Sequence, residues 1–293
     1  MSFSRVVRLG CCVTGTALFG AKAAWSADWS KGDQALPFFG QLKSLAASIN
    51  ERFPSILSAR AICGENISIK PWNWDWDGRN PSNIRTDASL QNEIVTPKPK
   101  CTRHLLFIRH GQYHYAKEDS DCHLTGLGRQ QLECTGMRLR ELNFPYRKLY
   151  YSTMTRAVES AELVLNHLPD VQAEPSDALR EGAPYVLEPP LVYYQPTPKD
   201  IEEDGSRIEL AFQRHIHRAD VKQEADTYEV FVCHANVIRY FVCRALQFPP
   251  EAWIRFSLDH GSITWLVVRP DGRVTLRWLG NSGHMPPELI SVQ

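Results

Sequence analysis

The sequence places an arginine and a histidine, Arg109 and His110, directly after an apolar run and just before a glycine. Two later apolar runs also end in polar side chains: Ser152 and Arg156 follow one, and His234 follows the other. Arginine offers a planar fork of charged donors that fits phosphate oxygens, and a neutral imidazole can attack phosphorus. Neighbouring arginines also disfavour a protonated imidazole, which keeps the attacking nitrogen free. These residue types therefore predict phosphoryl transfer, with His110 as the nucleophile and Arg109 holding the anion.

The polar side chains can meet only if the runs before them are strands of one sheet. The predicted strands are 104–108, 148–151 and 228–233, followed by a hairpin of 263–268 and 273–279. One predicted helix opens at Thr125, and two others carry apolar faces over 157–168 and 237–246. This alternation indicates an α/β fold, a mostly parallel sheet covered on both faces with one antiparallel edge. The carboxyl ends of its parallel strands would bring the polar residues to one pocket.

The composition is that of a globular protein without a charge bias. The chain has 293 residues, 43% of them hydrophobic, and 33 basic residues balance 33 acidic ones. This balance gives no reason to predict a nucleic-acid partner. The eight cysteines are scattered without a Cys-x-x-Cys pair, so neither a disulfide framework nor a zinc site is predicted. His215 and His217 could form a metal pair, but we interpret their polar segment as a solvated face.

The amino-terminal residues 1–25 differ from the rest of the chain. Arg5 and Arg8 precede a weakly polar run over 9–25, and no acidic residue appears before Asp28. At ~17 residues, the run is at the short limit for a membrane span. A secretory signal, a mitochondrial targeting sequence and a retained anchor are all compatible with it. We predict that residues 1–25 target or anchor the protein.

Residues 26–100 are rich in prolines and have only weak periodicity, which predicts an irregular linker into a domain beginning near residue 101. The linker contains three alternating tryptophans, Trp72, Trp74 and Trp76. An extended backbone would project all three rings to one side. A surface loop that packs its own rings is the plainer interpretation, but an exposed aromatic cluster more often marks a docking element.

Three strings together resemble the histidine phosphatase, or phosphoglycerate mutase-like, superfamily: RHG after the first strand, STMTRA at 152–157, and a histidine after a later apolar strand. The resemblance implies a three-layer α/β/α sandwich that needs no metal or organic cofactor. It makes His110 the phosphorylated histidine, and it makes Arg109, Arg156 and His234 the phosphate-binding residues. It also makes Glu181, in LREGAP, the proton donor to the leaving oxygen. Taken alone, Glu181 is ambiguous, although an alkoxide leaving group requires a general acid.

Several longer strings, among them RHGQYH, LREGAP and CHANVIRY, resemble a mitochondrial branch of this family that acts on phosphoserine and phosphothreonine in proteins. This likeness covers roughly residues 101–290. WNWDWD at 72–77 resembles the branch's Trp-Asp-x-Asn-Trp-Asp motif at Trp72, Trp76 and Asp77 and departs from it at two positions. In the branch the motif docks on a neighbouring dimer and switches the active site on. The resemblance therefore implies a homodimer that assembles into a larger ring on a mitochondrial membrane, with the outer membrane favoured.

The predicted function is a protein serine/threonine phosphatase that works through a phosphohistidine and is activated by oligomerisation. Two alternatives stay open, a small-molecule phosphomonoesterase or mutase with the same residues and a membrane-tethered scaffold. A protein side chain needs an open pocket mouth, whereas a sugar phosphate favours a lidded one. An acid-rich loop at 200–204 argues against a small polyanion at the rim. The apolar tail at 283–293 is predicted to be a subunit contact.

Overall fold

The computed structural model describes residues 71–79 and 98–292, and within them six strands and four α-helices form the fold. The strands are β1 (Arg103–Arg109), β2 (Tyr146–Ser152), β3 (Gln172–Ser176), β4 (Thr227–Cys233), β5 (Ile263–Val268) and β6 (Val274–Asn281). The helices are α1 (Gly126–Leu142), α2 (Thr155–Leu165), α3 (Pro198–His215) and α4 (Ala235–Ala245). Short 3-10 turns occupy Asp119–Asp121, Asp177–Leu179, Pro250–Arg255 and Pro287–Leu289.

The six strands make one sheet in the order β3-β2-β4-β1-β5-β6. The pairs β3-β2, β2-β4 and β4-β1 are parallel, whereas β5 pairs antiparallel with both β1 and β6. The sequence therefore predicted the α/β class and its antiparallel edge correctly. The connections β1-α1-β2 and β2-α2-β3 carry the chain back across the sheet, so the parallel strands all end at the same edge.

Two apolar cores, one on each face of the sheet, make three layers. One core contains Phe107 of β1 and Phe212 of α3, with residues of α4 packed in the same cluster. The other contains Ile108 of β1 and Leu132 of α1, with residues of α2 beside them. Successive residues of a strand point to opposite faces, so β1 supplies both cores from neighbouring positions. This is the three-layer α/β/α arrangement that the family resemblance implies.

Local sequence signals fix where helices α1 and α3 begin. Thr125 caps α1, its hydroxyl accepting from the backbone N–H of Gly128 at 3.0 Å. A capping box opens α3, because Thr197 accepts from the N–H of Asp200 while the Asp200 carboxylate accepts from the N–H of Thr197. The expectation of a loop at 200–204 is therefore wrong, since these residues form the first turns of α3.

Some sequence expectations fall outside the described residues. The predicted targeting or anchoring segment at 1–25 lies there, as does most of the linker at 26–100. Among residues 71–79 and 98–292, no helix combines the length and the apolar character needed to cross a membrane.

Candidate active site

The ends of β1, β2 and β4 bring the predicted chemical residues together. His110 follows β1, is only 2% exposed, and donates its backbone N–H to the carbonyl of Cys233 at the end of β4, 3.0 Å away. Its ring centre lies 5.1 Å from that of His234. Arg156, in the first turn of α2, completes the cluster from the end of β2. These residues lie far apart in the sequence and meet only because parallel strands end at one edge of the sheet.

Two glycines allow the loop after β1 to lie against α1. A Cβ on Gly111 would stand 2.5 Å from Leu132 Cδ2, and a Cβ on Gly128 would stand 2.0 Å from the Gln112 carbonyl oxygen. Because neither glycine carries a side chain, the loop after β1 packs directly against α1, which holds the nucleophile's loop in place.

Hydrogen bonds determine which nitrogen of His110 carries the proton. Nδ1 lies 2.8 Å from the carbonyl oxygen of Gly111, and a carbonyl can only accept, so Nδ1 is protonated. Nε2 accepts from Nε of Arg156 at 3.3 Å. Burial lowers the pKa of His110 well below its ordinary value, and the nearby His234, Arg156 and Arg109 lower it further. His110 is thus neutral, with a lone pair on Nε2 beside a fixed cation.

His234 is fully buried and faces His110 across the site. Its Nε2 lies 2.7 Å from the hydroxyl oxygen of Ser152 at the end of β2. Within the described residues its buried Nδ1 makes no hydrogen bond. Burial, followed by Arg156 and Arg109, holds the pKa of His234 well below its ordinary value. A neutral ring with an unpaired nitrogen in the site is suited to bind an oxyanion oxygen.

The two arginines are held by different contacts. Arg109 donates from Nη1 to the carbonyls of Leu258 at 2.5 Å and Val292 at 2.8 Å. Arg156 is 6% exposed and places its guanidinium 4.7 Å from the ring centre of Tyr113. Asp119 lies 3.5 Å from Nη1 of Arg156. Both guanidinium groups are therefore oriented in advance of any ligand.

Glu181 lies on the loop before α3, and a residue of that helix holds the loop. Arg207 donates from Nη2 to the carbonyl oxygen of Glu181 at 3.0 Å and to Oδ1 of Asp204 at 2.7 Å. Its Nη1 donates to the carbonyls of Ala178 and Arg180 at 3.3 and 2.5 Å. Burial raises the pKa of Glu181 although Arg156 and Arg109 oppose the shift. A carboxyl with a raised pKa keeps its proton to higher pH, as a general acid requires.

Two residues that the sequence analysis did not assign to the site also line it. Tyr113 stands with its ring centre 5.2 Å from that of His110, and His260, just before β5, stands at 5.6 Å. Both line a cleft of about 980 Å³ that contains Arg109 and Arg239. His260 carries no sequence signal, because neither a strand end nor a motif precedes it. Tyr113 lies three positions after the nucleophile, and this closeness in sequence is the feature that could have identified it.

The mouth of this cleft is open and apolar. Tyr115 and Tyr193 line it with 91% and 80% of their surfaces exposed, and Val192, which precedes Tyr193 in the sequence, is 91% exposed. Exposed aromatic and aliphatic side chains beside a polar site mark a surface that binds another molecule. The open mouth is the feature that the sequence analysis associated with a protein side chain as substrate.

The solvated face predicted at His215 and His217 is wrong. His215 is 4% exposed, and its ring packs 4.6 Å from Tyr150 and 5.3 Å from Phe231. It ends α3 on the side of the helix that faces the sheet. Across residues 71–79 and 98–292, no group of three histidine, cysteine or acidic side chains is arranged to hold a metal ion.

The tryptophan motif forms a turn over 74–77 rather than the extended strip that the sequence suggested. Only part of it faces outward, with Trp74 49% exposed. The ring of Trp76 packs 6.1 Å from Phe212 of α3 and donates from Nε1 to the Gly272 carbonyl at 2.8 Å. The alternation of the three rings is lost because a turn, unlike a strand, does not send every second side chain to one side.

Asp77 forms a buried ion pair with Arg218 that fixes the turn to the catalytic domain. The Asp77 carboxylate accepts from the backbone N–H of Arg218 at 2.8 Å and from its guanidinium Nε at 3.1 Å. Burial alone would raise the pKa of Asp77, but its hydrogen bonds with Arg218 hold the pKa below its ordinary value. Arg218 also donates from Nη2 to the carbonyl of Trp74 at 2.9 Å. The motif thus has a defined docking site beside the carboxyl end of α3.

A neutral histidine with a free nitrogen, set among arginines at the carboxyl edge of a parallel sheet, defines a phosphoryl-transfer enzyme. The chain belongs to the histidine phosphatase superfamily (branch 1), whose sequence model matches residues 105–190 and 187–281. It is an enzyme of the class that hydrolyses phosphoric monoesters. The resemblance seen in the sequence is confirmed.

Several curated relatives carry the name serine/threonine-protein phosphatase PGAM5, mitochondrial. The Xenopus tropicalis protein is 53% identical over 230 residues, covering 75% of this chain and 82% of its own length. The human protein is 50% identical over 230 residues, covering 75% of this chain and 80% of its own. A solved structure of phosphoglycerate mutase from Plasmodium falciparum is 30% identical and covers 64% of this chain and 96% of its own, with a TM-score of 0.47. The relatives' names support a mitochondrial location for this chain.

Proposed function

We propose that this chain is a serine/threonine-protein phosphatase that works through a phosphohistidine on His110. The observation that carries the proposal is the state of its ring, protonated at Nδ1 toward Gly111 and carrying a lone pair at Nε2 beside Arg156. Nε2 attacks phosphorus as the bond from phosphorus to the serine or threonine oxygen breaks. Glu181 gives its proton to the leaving oxygen.

The second half of the reaction uses the same residues in reverse. The Glu181 carboxylate takes a proton from a water molecule whose oxygen attacks phosphorus. The bond from phosphorus to Nε2 of His110 then breaks, which releases inorganic phosphate and restores the neutral ring. Arg109, Arg156 and the unpaired Nδ1 of His234 bind the phosphoryl oxygens in both halves.

A protein is the substrate that this cleft suits best. Its mouth is open, and the exposed side chains of Tyr115 and Tyr193, which line it, offer contacts to residues on either side of a phosphorylated one. The names of the relatives, which specify serine/threonine-protein phosphatases, support the same substrate class.

The test compares substrate classes on the full-length protein. Phosphoserine and phosphothreonine peptides should be hydrolysed with a higher kcat/KM than phosphoglycerates, and the His110→Asn variant should hydrolyse neither. Faster turnover of phosphoglycerates would instead favour a small-molecule phosphomonoesterase or mutase. Binding of partners with no turnover of either class would favour a scaffold.

Assembly is the second part of the proposal. The segment containing Trp72, Trp76 and Asp77 docks beside α3, and Arg207 of the same helix holds the carbonyl of Glu181. In the assembly, the motif of a neighbouring dimer would take this docking site in place of the chain's own motif. The exchange would join dimers into a ring and hold α3, and with it Glu181, in place. Activity would then depend on assembly.

The third part concerns location. Residues 1–25 direct the chain to mitochondria and hold it at a membrane, and the family resemblance favours the outer one. Their basic, acid-free, apolar composition supports targeting, and the relatives' names support the mitochondrion as the destination. A fluorescent protein fused behind residues 1–30 should accumulate on mitochondria and resist carbonate extraction. Entry of the fusion into the secretory pathway would contradict this.

A further inference from the structure

His260 is a third histidine at the catalytic cleft, and its backbone is tied to the nucleophile's strand. The next residue, Gly261, donates its N–H to the Arg109 carbonyl at 3.0 Å. The side chain of His260 is 1% exposed, lines the same cleft as Arg109, and has its ring centre 5.6 Å from that of His110. Only one of its ring nitrogens, Nδ1, is hydrogen-bonded to another residue of the described chain, which leaves Nε2 as the atom available to a ligand.

A chain of hydrogen bonds allows the proton of that ring to lie on Nε2. The backbone N–H of Gln112 can only donate, so the Gln131 atom that it meets at 2.9 Å is the amide oxygen. The Gln131 amide nitrogen therefore donates, to the Leu289 carbonyl at 2.7 Å and to the Ser291 hydroxyl oxygen at 2.8 Å. Ser291 accepts from Gln131, and its hydroxyl oxygen lies 3.0 Å from Nδ1 of His260, where it can either donate its proton or accept one. When the hydroxyl donates, Nδ1 accepts and the ring proton lies on Nε2.

We propose that His260 is a further phosphate-binding residue, whose Nε2–H donates to an oxygen of the phosphoryl group while Ser291 and Gln131 fix its tautomer. The inference rests on the proposed function in taking a phosphate monoester as the ligand of this cleft. Ser291 acts through His260 and is a positioning residue. The carboxyl-terminal tail, predicted from sequence as a subunit contact, thereby has a role within its own chain.

A neutral donor is well matched to this position. Burial, and after it the charge of Arg109, lowers the pKa of His260 to about 3, so the ring is uncharged at neutral pH. An uncharged N–H strengthens its hydrogen bond as negative charge builds on the phosphoryl oxygens. It adds no further positive charge beside the cationic side chains already present.

Two substitutions separate binding from packing. Asn places its amide near the Nδ1 position and keeps a partner for Ser291, but it has no donor that reaches the cleft. Gln places its amide nitrogen near the Nε2 position and keeps the donor. The competitive inhibition constant of inorganic phosphate should rise ~10–100-fold in His260→Asn and stay within a few-fold of the native value in His260→Gln.

Substitutions of Ser291 test the same inference independently, because they leave the buried His260 ring intact. Ser291→Ala removes the hydroxyl that fixes the tautomer and should weaken phosphate inhibition by roughly tenfold. Ser291→Thr keeps the hydroxyl and should behave like the native protein. Thermal melting of all four variants shows whether any of them has lost its fold.

The inference is overturned if His260→Asn and His260→Gln weaken phosphate inhibition equally, which would indicate a packing role. It is also overturned if Ser291→Ala leaves the inhibition constant unchanged. Hydrolysis of phosphoserine peptides by the native protein, measured in the same series, tests the proposed function separately. If the native protein cleaves these peptides but the His260 and Ser291 substitutions leave the inhibition constant of phosphate unchanged, this inference alone is refuted.

Discussion

His110 and Glu181 have pKa values displaced in opposite senses, and burial is the first cause of both shifts. A buried imidazole loses its charged form and stays a base with a free lone pair. A buried carboxyl also disfavours its charged form, and for an acid that means keeping the proton. One environment thus prepares a nucleophile and a proton donor at the same time.

The carboxyl of Glu181 can be tested by substitution and by leaving group. Glu181→Gln should lower kcat on phosphoserine peptides by ~10²–10⁴-fold, because the serine alkoxide leaves poorly without a proton. An aryl phosphate, which needs little protonation on leaving, should lose much less. Equal losses on the two substrates would show that Glu181 does not act as the general acid.

The same group sets one limb of the pH profile. Its pKa is raised, so the protonated acid persists above the usual carboxyl range and is lost as pH increases through the raised value. Activity on phosphoserine peptides should therefore fall on the alkaline side of that pKa. In Glu181→Gln this limb should disappear, and a profile that keeps it would assign the limb to another group.

Sequence reasoning finds residues that follow a pattern and misses those that do not. His110, Arg156 and His234 were found because each follows a recognisable strand, and Glu181 because its string resembles a family. His260 follows no strand, and its part in the cleft depends on a tail that meets it 31 positions later in the sequence. Contacts of this kind are created by folding and leave no local signal.

At the scale of secondary structure, α3 is the element that the sequence analysis missed and the one that positions Glu181. Its signal was present: Ile208, Ala211, Phe212 and His215 follow the i, i+3, i+4, i+7 spacing and are all buried. The many charged residues that precede them, over 199–207, obscured it. The strand β3 was missed for a different reason, since it is a polar edge strand of five residues containing a proline.

Substitution of Arg207 tests whether α3 holds in place the loop that carries Glu181. Arg207→Ala removes the donors to three backbone carbonyls at and before Glu181, those of residues 178, 180 and 181. We expect kcat on phosphoserine peptides to fall by about tenfold or more, and by less on an aryl phosphate, because the lost contacts serve the proton donor.

Arg214 provides the matched control on the same helix. Its side chain is 64% exposed and, within the part of the chain that the structure describes, forms an ion pair only with Glu174, so Arg214→Ala should leave both activities near the native level. If Arg207→Ala and Arg214→Ala behave alike, α3 does not position Glu181 through Arg207.

At the scale of the whole molecule, the turn containing Trp76 and Asp77 is fixed by a buried ring contact and a buried ion pair. Removing one partner of a buried pair leaves the other charge uncompensated, so such a site is sensitive to single substitutions. The pKa of Asp77 is lowered by Arg218, so the pair is present above the ordinary aspartate pKa. It is lost as pH falls through the lowered value, and docking should weaken in acid.

Trp76→Ala should convert large assemblies into dimers and lower phosphatase activity, although the substitution lies outside the active site. Light scattering and a phosphopeptide assay on the same samples measure both effects. Trp74→Ala is the control, because the Trp74 side chain is half exposed and its contact with Arg218 uses only the backbone carbonyl. A Trp76→Ala protein that stays large, or dimers that stay fully active, would break the link between docking and catalysis.

The measurement that tests the mechanism most directly is the position of the phosphoryl group on the trapped enzyme. Because Nδ1 of His110 donates to Gly111, the phosphoryl group must form on Nε2. Rapid quenching during turnover of a phosphoserine peptide, followed by mass spectrometry and phosphorus NMR under alkaline conditions, identifies the residue and the nitrogen. We predict one phosphate per active site, on Nε2 of His110 and absent from His110→Asn. Phosphate on Nδ1, on His234 or on no histidine at all would contradict the mechanism.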